Sequence, residues 1–217
     1  KTLGIDAAQV QWMLIPVLLA ATPLFIVFAG LSDRYGRKWI MLGGIGLGAL
    51  LYLPVYQEMA AQADWNSWGA PVKTVTAQEG PQATVQVTEW HYADGSVRTE
   101  KTDTAAAGPA KTSRVLTLGW KPLSAIALLI FVQVVLVCMA YGPIAAFLVD
   151  FFPARIRYTS LSLPYHIGNG VFGGLTPLIA EALVLRTGNI FAGLWYPIAI
   201  AALTVVVGAV FIREEKK

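Results

Sequence analysis

Hydrophobic residues are concentrated in five stretches that contain no Asp, Glu, Lys or Arg. A helix needs roughly 20 mostly apolar residues to cross the hydrocarbon core of a bilayer. In lipid the backbone must form its hydrogen bonds within a helix or a closed barrel, and the alternating segments of a barrel are absent. The pattern therefore predicts five transmembrane helices, over Ala7–Ser32, Trp39–Gln57, Pro122–Val149, Tyr158–Ala180 and Thr187–Ile212.

The composition agrees with a membrane protein. Hydrophobic residues make up 56% of the chain and charged residues only 13%, about half the charged fraction of a soluble domain. This excludes a soluble globular enzyme, a disordered chain and a nucleic-acid-binding protein, so the lipid bilayer is the predicted surrounding. The sequence contains no nucleophile–base pair, carboxylate pair or metal-ligand spacing at a common depth, so it predicts no enzyme, no cofactor and no metal.

Basic residues in the short connections predict the orientation. Eight of them follow the first, third and fifth spans: Arg34, Arg37, Lys38, Arg155, Arg157, Arg213, Lys216 and Lys217. The positive-inside bias makes this side cytoplasmic, which places the start of the chain outside and its end in the cytoplasm. Since an external start without Met requires an earlier hydrophobic segment, we expect the chain to be the C-terminal part of a longer protein.

The segment Glu58–Lys121 differs from the rest, because it is rich in Thr, Ala, Gln and charge. Apolar and polar residues alternate over Val72–Ala77 and Ala83–Tyr92, as in β-strands. Ala93–Ser96 is a turn signal, which makes Ser96–Thr102 a candidate return strand, and Thr102–Pro109 is interpreted as a linker. We therefore predict an external β-hairpin or three-stranded cap between the second and third spans.

A short polar motif joins the first two spans, over Asp33–Lys38. A connection of this length makes the two helices antiparallel neighbours. Gly30 permits close helix approach and Gly36 a tight reversal with positive φ, while Asp33 is placed to pair with a guanidinium. A plain basic loop explains Arg34, Arg37 and Lys38 but not the two glycines and the aspartate.

This motif resembles the loop motif of the major facilitator superfamily, Gly-x-x-x-Asp-Arg-x-Gly-Arg-Arg/Lys, with Gly30, Asp33, Arg34, Gly36, Arg37 and Lys38 all in register. The segments Phe147–Tyr158 and Ser162–Gly174 resemble the parts around the tenth and eleventh helices of its metabolite:proton symporter family. In this sequence Asp150 replaces the usual Glu, and His166 replaces the Asn of many members.

The resemblance implies a particular fold: an all-α membrane protein made of transmembrane helices 8–12 of a major-facilitator C-terminal bundle, with a small external β-rich insertion. Residues 1–57 would be helices 8 and 9 with the motif at 33–38. Residues 58–121 would be the periplasmic insertion, and residues 122–217 helices 10, 11 and 12 with a cytoplasmic tail. The N-terminal half of the same protein is then an expected partner.

The fourth span carries a polar stripe at steps of three or four residues, over Thr159, Ser162, His166, Asn169, Gly173 and Thr176. His166 lies roughly 13 Å beyond Arg157 at ~1.5 Å per residue, near the bilayer midplane, where transporters bind solutes. Polar residues in lipid normally face a bundle interior or a water-filled path. We predict that Ser162, Tyr165, His166, Asn169 and Gln133 line a path for substrate and proton; simple hydrogen bonding between packed helices is the alternative.

Charged residues collect at the predicted cytoplasmic face: Asp33, Arg37, Asp150, Arg155 and Arg157. In the resembling family such residues form a network that locks one conformation and opens in the other. The alternative is that the arginines only anchor the topology.

The sequence thus favours the C-terminal half of a secondary transporter, which moves a small organic acid or zwitterion together with protons by alternating access. The competing hypothesis is a membrane sensor or structural module that binds a partner through its external segment. The Asp33–Lys38 motif and the stripe in the fourth span favour the transporter.

Overall fold

The computed structural model describes residues 3–79, 85–103, 111–153 and 155–212. It is mostly helical and contains one four-stranded antiparallel sheet. The chain divides into two compact units, one made of Lys1–Val17 with Glu58–Ile130 and the other of Leu18–Gln57 with Phe131–Lys217. The predicted basic tail at Arg213, Lys216 and Lys217 lies outside the described residues.

Seven α-helices account for most of the described chain. They are α1 (Ala7–Tyr35), α2 (Arg37–Gln62), α3 (Trp120–Tyr141), α4 (Ile144–Phe151), α5 (Arg157–His166), α6 (Gly174–Thr187) and α7 (Trp195–Phe211). Short 3₁₀ turns cover Trp65–Trp68 and Ala192–Leu194, and a π-helical segment, Ile167–Gly173, connects α5 to α6.

Five segments are long and apolar enough to cross a membrane, which confirms the five long apolar helices expected from the sequence. They cover Ala7–Tyr35, Arg37–Gln62, Trp120–Phe151, Thr159–Thr187 and Ala192–Phe211. The third comprises α3 and α4, with a break at Gly142 and Pro143, and the fourth runs from α5 through the π-helical segment into α6.

Several helices extend beyond the charge-free stretches. α2 continues to Gln62 and α3 begins at Trp120, so the non-helical insertion is shorter than Glu58–Lys121. Helix α6 continues past the charge-free stretch Tyr158–Ala180 to Thr187, and Gly188, whose φ is +67°, follows its end. The physical reason is that a charged side chain limits contact with hydrocarbon, whereas a helix can carry its charges into the aqueous interface.

The second unit is packed through small residues on facing helices. A Cβ added at Gly142 would lie 3.0 Å from the carbonyl oxygen of Phe25, and one added at Gly44 would lie 2.9 Å from the backbone nitrogen of Ala140. The thiol of Cys138 is buried 3.6 Å from the carbonyl oxygen of Ala21. Helix α3 therefore lies against both α1 and α2 at distances that only small residues permit.

The first unit contains a β-meander in the order β1-β2-β3-β4. Its strands are β1 (Lys73–Glu79), β2 (Val85–His91), β3 (Val97–Asp103) and β4 (Lys111–Thr117), and each pairs antiparallel with the next. The first three correspond to the predicted strands, apart from residues 83–84, which lie outside the described residues.

The fourth strand corrects the predicted two or three strands. The predicted linker Thr102–Pro109 is also wrong at its start, since Thr102 belongs to β3, and residues 104–110 lie outside the described residues. β4 was not predicted because its sequence is mostly polar and lacks the alternation of apolar and polar residues that indicates a strand. β4 pairs with β3 along its whole length, and Leu116 in β4 also exchanges backbone hydrogen bonds with Gly4 and Asp6, at 2.8 and 2.9 Å.

The residue after β4 ties the sheet to the start of α1. The side-chain amide of Gln9 donates to the carbonyl oxygen of Leu118 at 2.7 Å and accepts from the Leu118 backbone nitrogen at 2.8 Å. Leu118 is buried together with Met13 and Ile126. The buried side chain of Leu118 and the two hydrogen bonds of its backbone thus both hold the end of β4 against the start of α1.

Glu100 in β3 is held between two arginines. Its carboxylate accepts hydrogen bonds from Arg114 Nε at 3.0 Å and from Arg98 Nη2 at 2.9 Å. The guanidinium of Arg98 also lies over the rings of Trp65 and Trp90, 4.8 and 4.6 Å from their centroids. The hydrogen bond from Arg114, followed by the positive charges of Arg114 and Arg98, lowers the pKa of Glu100.

The lowered pKa makes the stability of the sheet depend on pH. At pH values above the ordinary pKa of glutamate, the ionised carboxylate of Glu100 stabilises the folded sheet. This contribution is lost as the pH falls through the lowered pKa of Glu100 in the folded protein. As the pH of the full-length protein is lowered from about 6 to about 3, the backbone amides of β3 and β4 should become less protected from hydrogen exchange in the wild type than in Glu100→Gln. Glu58→Gln, an exposed site, is the control; equal pH dependence in wild type and Glu100→Gln would contradict the prediction.

Candidate functional site

A single residue reverses the chain between α1 and α2. Helix α1 ends at Tyr35, α2 begins at Arg37, and Gly36 between them has a φ of +97°, the positive value predicted. The predicted six-residue loop Asp33–Lys38 is therefore wrong as a loop. One glycine in this conformation suffices to turn the backbone, so the charged residues on both sides remain helical.

Arg37 connects the ends of three helices. Its Nη2 and Nε lie 2.9 and 3.2 Å from Asp33 Oδ1 in α1, and its Nη1 donates to the Ala146 carbonyl oxygen in α4 at 3.1 Å and to the Asp150 carboxylate. The sequence prediction placed Asp33, Arg37 and Asp150 at one face, and the structure brings all three into contact. We call these three residues the Arg37 cluster.

The cluster is accessible to solvent rather than enclosed. The side chain of Arg37 is 26% exposed, that of Asp33 61% and that of Asp150 47%. Exposed ion pairs contribute little to stability, with a median of about 0–1 kcal/mol. Such contacts can be broken at small cost, which suits a reversible contact better than a permanent one.

Lys38 has a role that sequence analysis did not find. It is buried, and its Nζ donates to the carbonyl oxygens of Ala209 at 3.0 Å and Ile212 at 2.5 Å. These carbonyls belong to the end of α7, where a helix has unpaired acceptors and a partial negative charge. The cation therefore caps α7, and no local signal connects position 38 with residues so far along the chain.

The other predicted charges of this face lie outside the cluster. Arg34 and Arg155 are exposed, and Arg157 donates from Nε to the carbonyl oxygen of Phe152 at 3.2 Å, which stabilises its own turn. A Cβ added at Gly30 would meet no described atom within 4 Å. The close approach predicted there occurs instead at Gly142.

The predicted path residues of the fourth span, Ser162, Tyr165, His166 and Asn169, are exposed, as is every residue from Ser162 to Leu175. His166 Nδ1 lies 2.7 Å from the carbonyl oxygen of Ser162 and 3.3 Å from its hydroxyl. The ring of Tyr165 is 6.2 Å from that of His166, nearly perpendicular to it. Ser162 and His166 thus form a polar pair one turn apart, and Asn169 lies further along, also exposed.

The predicted polar stripe does not continue straight through this span. Residues Ile167–Gly173 form a π-helical segment, and Gly174 donates to the carbonyl oxygen of Asn169 five residues earlier. A π-helix turns less per residue than an α-helix, so the ideal α-helical spacing used for Gly173 and Thr176 is wrong beyond His166. Such segments are frequent at functional sites.

Gln133 in α3 has a buried side-chain nitrogen without a hydrogen-bond partner in the described part of the chain. A buried donor in this state costs about 1–3 kcal/mol. An unsatisfied amide inside an apolar helix is unusual enough to require a reason, such as a ligand or another segment.

The described residues contain no group of three His, Cys, Asp or Glu side chains that could hold a metal ion.

Comparison with known proteins identifies the class of protein. No family model matches the chain, and no solved structure is significantly similar to it. Over 87 residues, 40% of this chain, it is 37% identical to a putative metabolite transport protein of Haemophilus influenzae. It is 42% identical over 59 residues, 27% of the chain, to a putative proline/betaine transporter of Staphylococcus haemolyticus, and 39% identical over 51 residues, 24% of the chain, to a citrate-proton symporter of Klebsiella pneumoniae.

The chain is a partial homologue of bacterial metabolite transporters and symporters. This confirms the resemblance seen in the sequence motifs, and the five long apolar helices support an integral membrane protein. The matched segments cover 19%, 13% and 12% of the length of the three relatives.

The capping contact of Lys38 predicts a stability effect that charge alone does not explain. Lys38→Ala leaves the last carbonyls of α7 without their donor and should destabilise the detergent-solubilised full-length protein by about 1–3 kcal/mol, seen as a lower melting temperature. Arg34→Ala removes the same charge from an exposed neighbour and should have little effect. Equal melting temperatures for the two variants would show that the cap is not needed.

Proposed function

We propose that this chain forms part of a secondary active transporter that moves a small organic solute together with protons by alternating access. The Arg37 cluster is the observation that carries the proposal, because it ties the ends of α1, α2 and α4 through contacts that break at small cost. The transporter names of the partial homologues support the same class.

The cluster would act as a gate between two arrangements of the helices. An interface biased by ion pairs can switch between discrete states when the pairs form or separate. Packing at Gly142 and Gly44 keeps α3 close to α1 and α2. Motion is therefore proposed to open the contacts of Arg37 with Asp150 and Ala146, whereas Asp33 is only four residues from Arg37 in the chain and stays close to it.

The proposed solute path is lined by Ser162, Tyr165, His166, Asn169 and Gln133. Histidine changes charge near neutral pH, so His166 is suited to accept and release the coupled proton. Its exposed polar surface and the unsatisfied Gln133 amide are proposed to face solute and the rest of the transporter. An organic acid or a zwitterion is the proposed substrate class, since relatives are named as proline/betaine and citrate-proton carriers.

We also propose that the Arg37 cluster lies at the cytoplasmic face of a bacterial inner membrane. Arg37 contacts Asp150, and Lys38 contacts Ile212, so the three connections predicted to be cytoplasmic converge at one end of the second unit. A single basic end is typical of the cytoplasmic side.

Charge exchange tests the gate. Arg37→Asp places three carboxylates together and should reduce proton-driven uptake by about tenfold, the order expected when a coupled pair is lost. Adding Asp150→Arg restores one cation between two carboxylates and should recover much of the uptake. Asp33→Arg with Arg37→Asp should recover less, because residue 37 then faces Asp150 with a like charge.

The control for this exchange is Arg186→Asp, at an exposed position in α6. It changes the net charge equally and should leave uptake near the wild-type rate. The gate is refuted if the Arg37→Asp, Asp150→Arg double variant, present in membranes at wild-type level, recovers no uptake.

The proton role of His166 is tested by the pH profile of uptake. His166→Gln should remove most of the change in uptake rate between about pH 5 and about pH 8, where an ordinary histidine titrates. His91→Gln alters the other histidine of the chain, which lies in β2, and should preserve the profile. Unchanged uptake with an unchanged profile in His166→Gln would count against a proton-carrying histidine.

A further inference from the structure

The two edge strands of the sheet, β1 and β4, differ in whether their outer backbone groups are paired. At one edge, Leu116 of β4 is covered by Gly4–Asp6 through backbone hydrogen bonds. At the other edge, none of the described residues pairs with the outer side of β1. A row of unpaired backbone donors and acceptors on an edge strand is a template for another strand.

Strand β1 lacks the devices that usually block such pairing. Its described side chains, from Lys73 to Gln78, are all exposed, so the sheet is open at this strand. It contains no proline and no interruption in its pairing with β2, and its one lysine is at its end. Native edge strands are normally shortened, bulged, covered or interrupted by charges and prolines.

The sequence of β1, Lys-Thr-Val-Thr-Ala-Gln-Glu, complements itself in the antiparallel direction. If two copies are centred on Thr76, position 73 faces position 79, position 74 faces 78, and position 75 faces 77. This register sets a lysine opposite a glutamate at both ends. Between them Thr74 faces Gln78, Val75 faces Ala77, and Thr76 faces its own copy. Opposite charges and β-branched pairs across strands are stabilising, whereas like charges directly opposite are destabilising.

From this exposed edge and its charge pattern we propose that β1 is a self-association surface, and that its partner is β1 of a second copy of the chain. The two four-stranded sheets join into one continuous sheet across a two-fold axis at Thr76. Such an interface is isologous and closes after two copies, so it protects the edge without forming a filament. Backbone hydrogen bonds supply the attraction and the lysine–glutamate pairs fix the register.

Cysteine cross-linking tests the register in the full-length protein in native membranes. In a background without native cysteines, including Cys138, residue 76 meets its own copy at about 4.5–5.5 Å between Cα atoms, within disulfide range. Thr76→Cys should therefore give a disulfide-linked dimer under mild oxidation. Thr74→Cys alone should cross-link at least about fivefold less, but should form heterodimers efficiently with Gln78→Cys, its predicted opposite residue.

Charge reversal provides a second, independent measurement. Lys73→Glu puts like charges opposite each other at both ends of the pairing and should reduce Thr76→Cys cross-linking by about threefold or more. Adding Glu79→Lys restores both opposite-charge pairs and should restore the cross-linking. Lys101→Glu, in β3, makes the same charge change away from the edge and serves as the control.

Several results would overturn the proposal. One is no Thr76→Cys dimer from protein that elutes as a folded species, and another is equal cross-linking at positions 74 and 76. Failure of the Lys73→Glu, Glu79→Lys combination to restore the dimer would exclude the proposed register. Cross-linking of Thr76→Cys to a different protein in place of a second copy would show that the edge has another occupant.

Discussion

The turn at Gly36 is the constraint on which the second unit depends. Because a single residue with positive φ separates α1 from α2, Arg37 begins its helix one turn from Asp33 and within reach of α4. A longer loop would place the guanidinium on a flexible tether, and each contact would then require additional ordering of the chain. The motif is therefore a device that fixes a cation at a helix junction rather than a basic loop.

Features set by local chemistry could be predicted from the sequence. The five spans follow from the length of the uncharged stretches, and the positive φ of Gly36 and the pairing of Asp33 follow from the motif. Features set by distant partners could not. The pairing of β4 with Gly4–Asp6 and the capping of α7 by Lys38 depend on residues about a hundred or more positions away. The π-helical segment was not predicted, because the sequence analysis assumed ideal α-helical spacing through the fourth span.

The described helices combine fixed and separable contacts. Close packing at Gly142, directly after α3, leaves no room for a methyl group against Phe25 of α1, which holds these two helices close together. The Arg37 cluster, by contrast, is partly hydrated, and water can replace each of its hydrogen bonds. This combination of close helix packing and partly exposed ion pairs is consistent with the proposed switch between discrete arrangements.

The cap on α7 also constrains the order of events during synthesis and folding. The acceptors of Lys38 lie 171 and 174 residues further along the chain. At about 5–20 residues per second, synthesis reaches them roughly 9–34 s after Lys38 has been made. During that interval the ammonium group can donate hydrogen bonds to water at the membrane surface. Its burial against the end of α7 follows the synthesis of α7. Helix α7 therefore completes the contacts of the α1–α2 junction, and loss of α7 would leave Lys38 without these two acceptors.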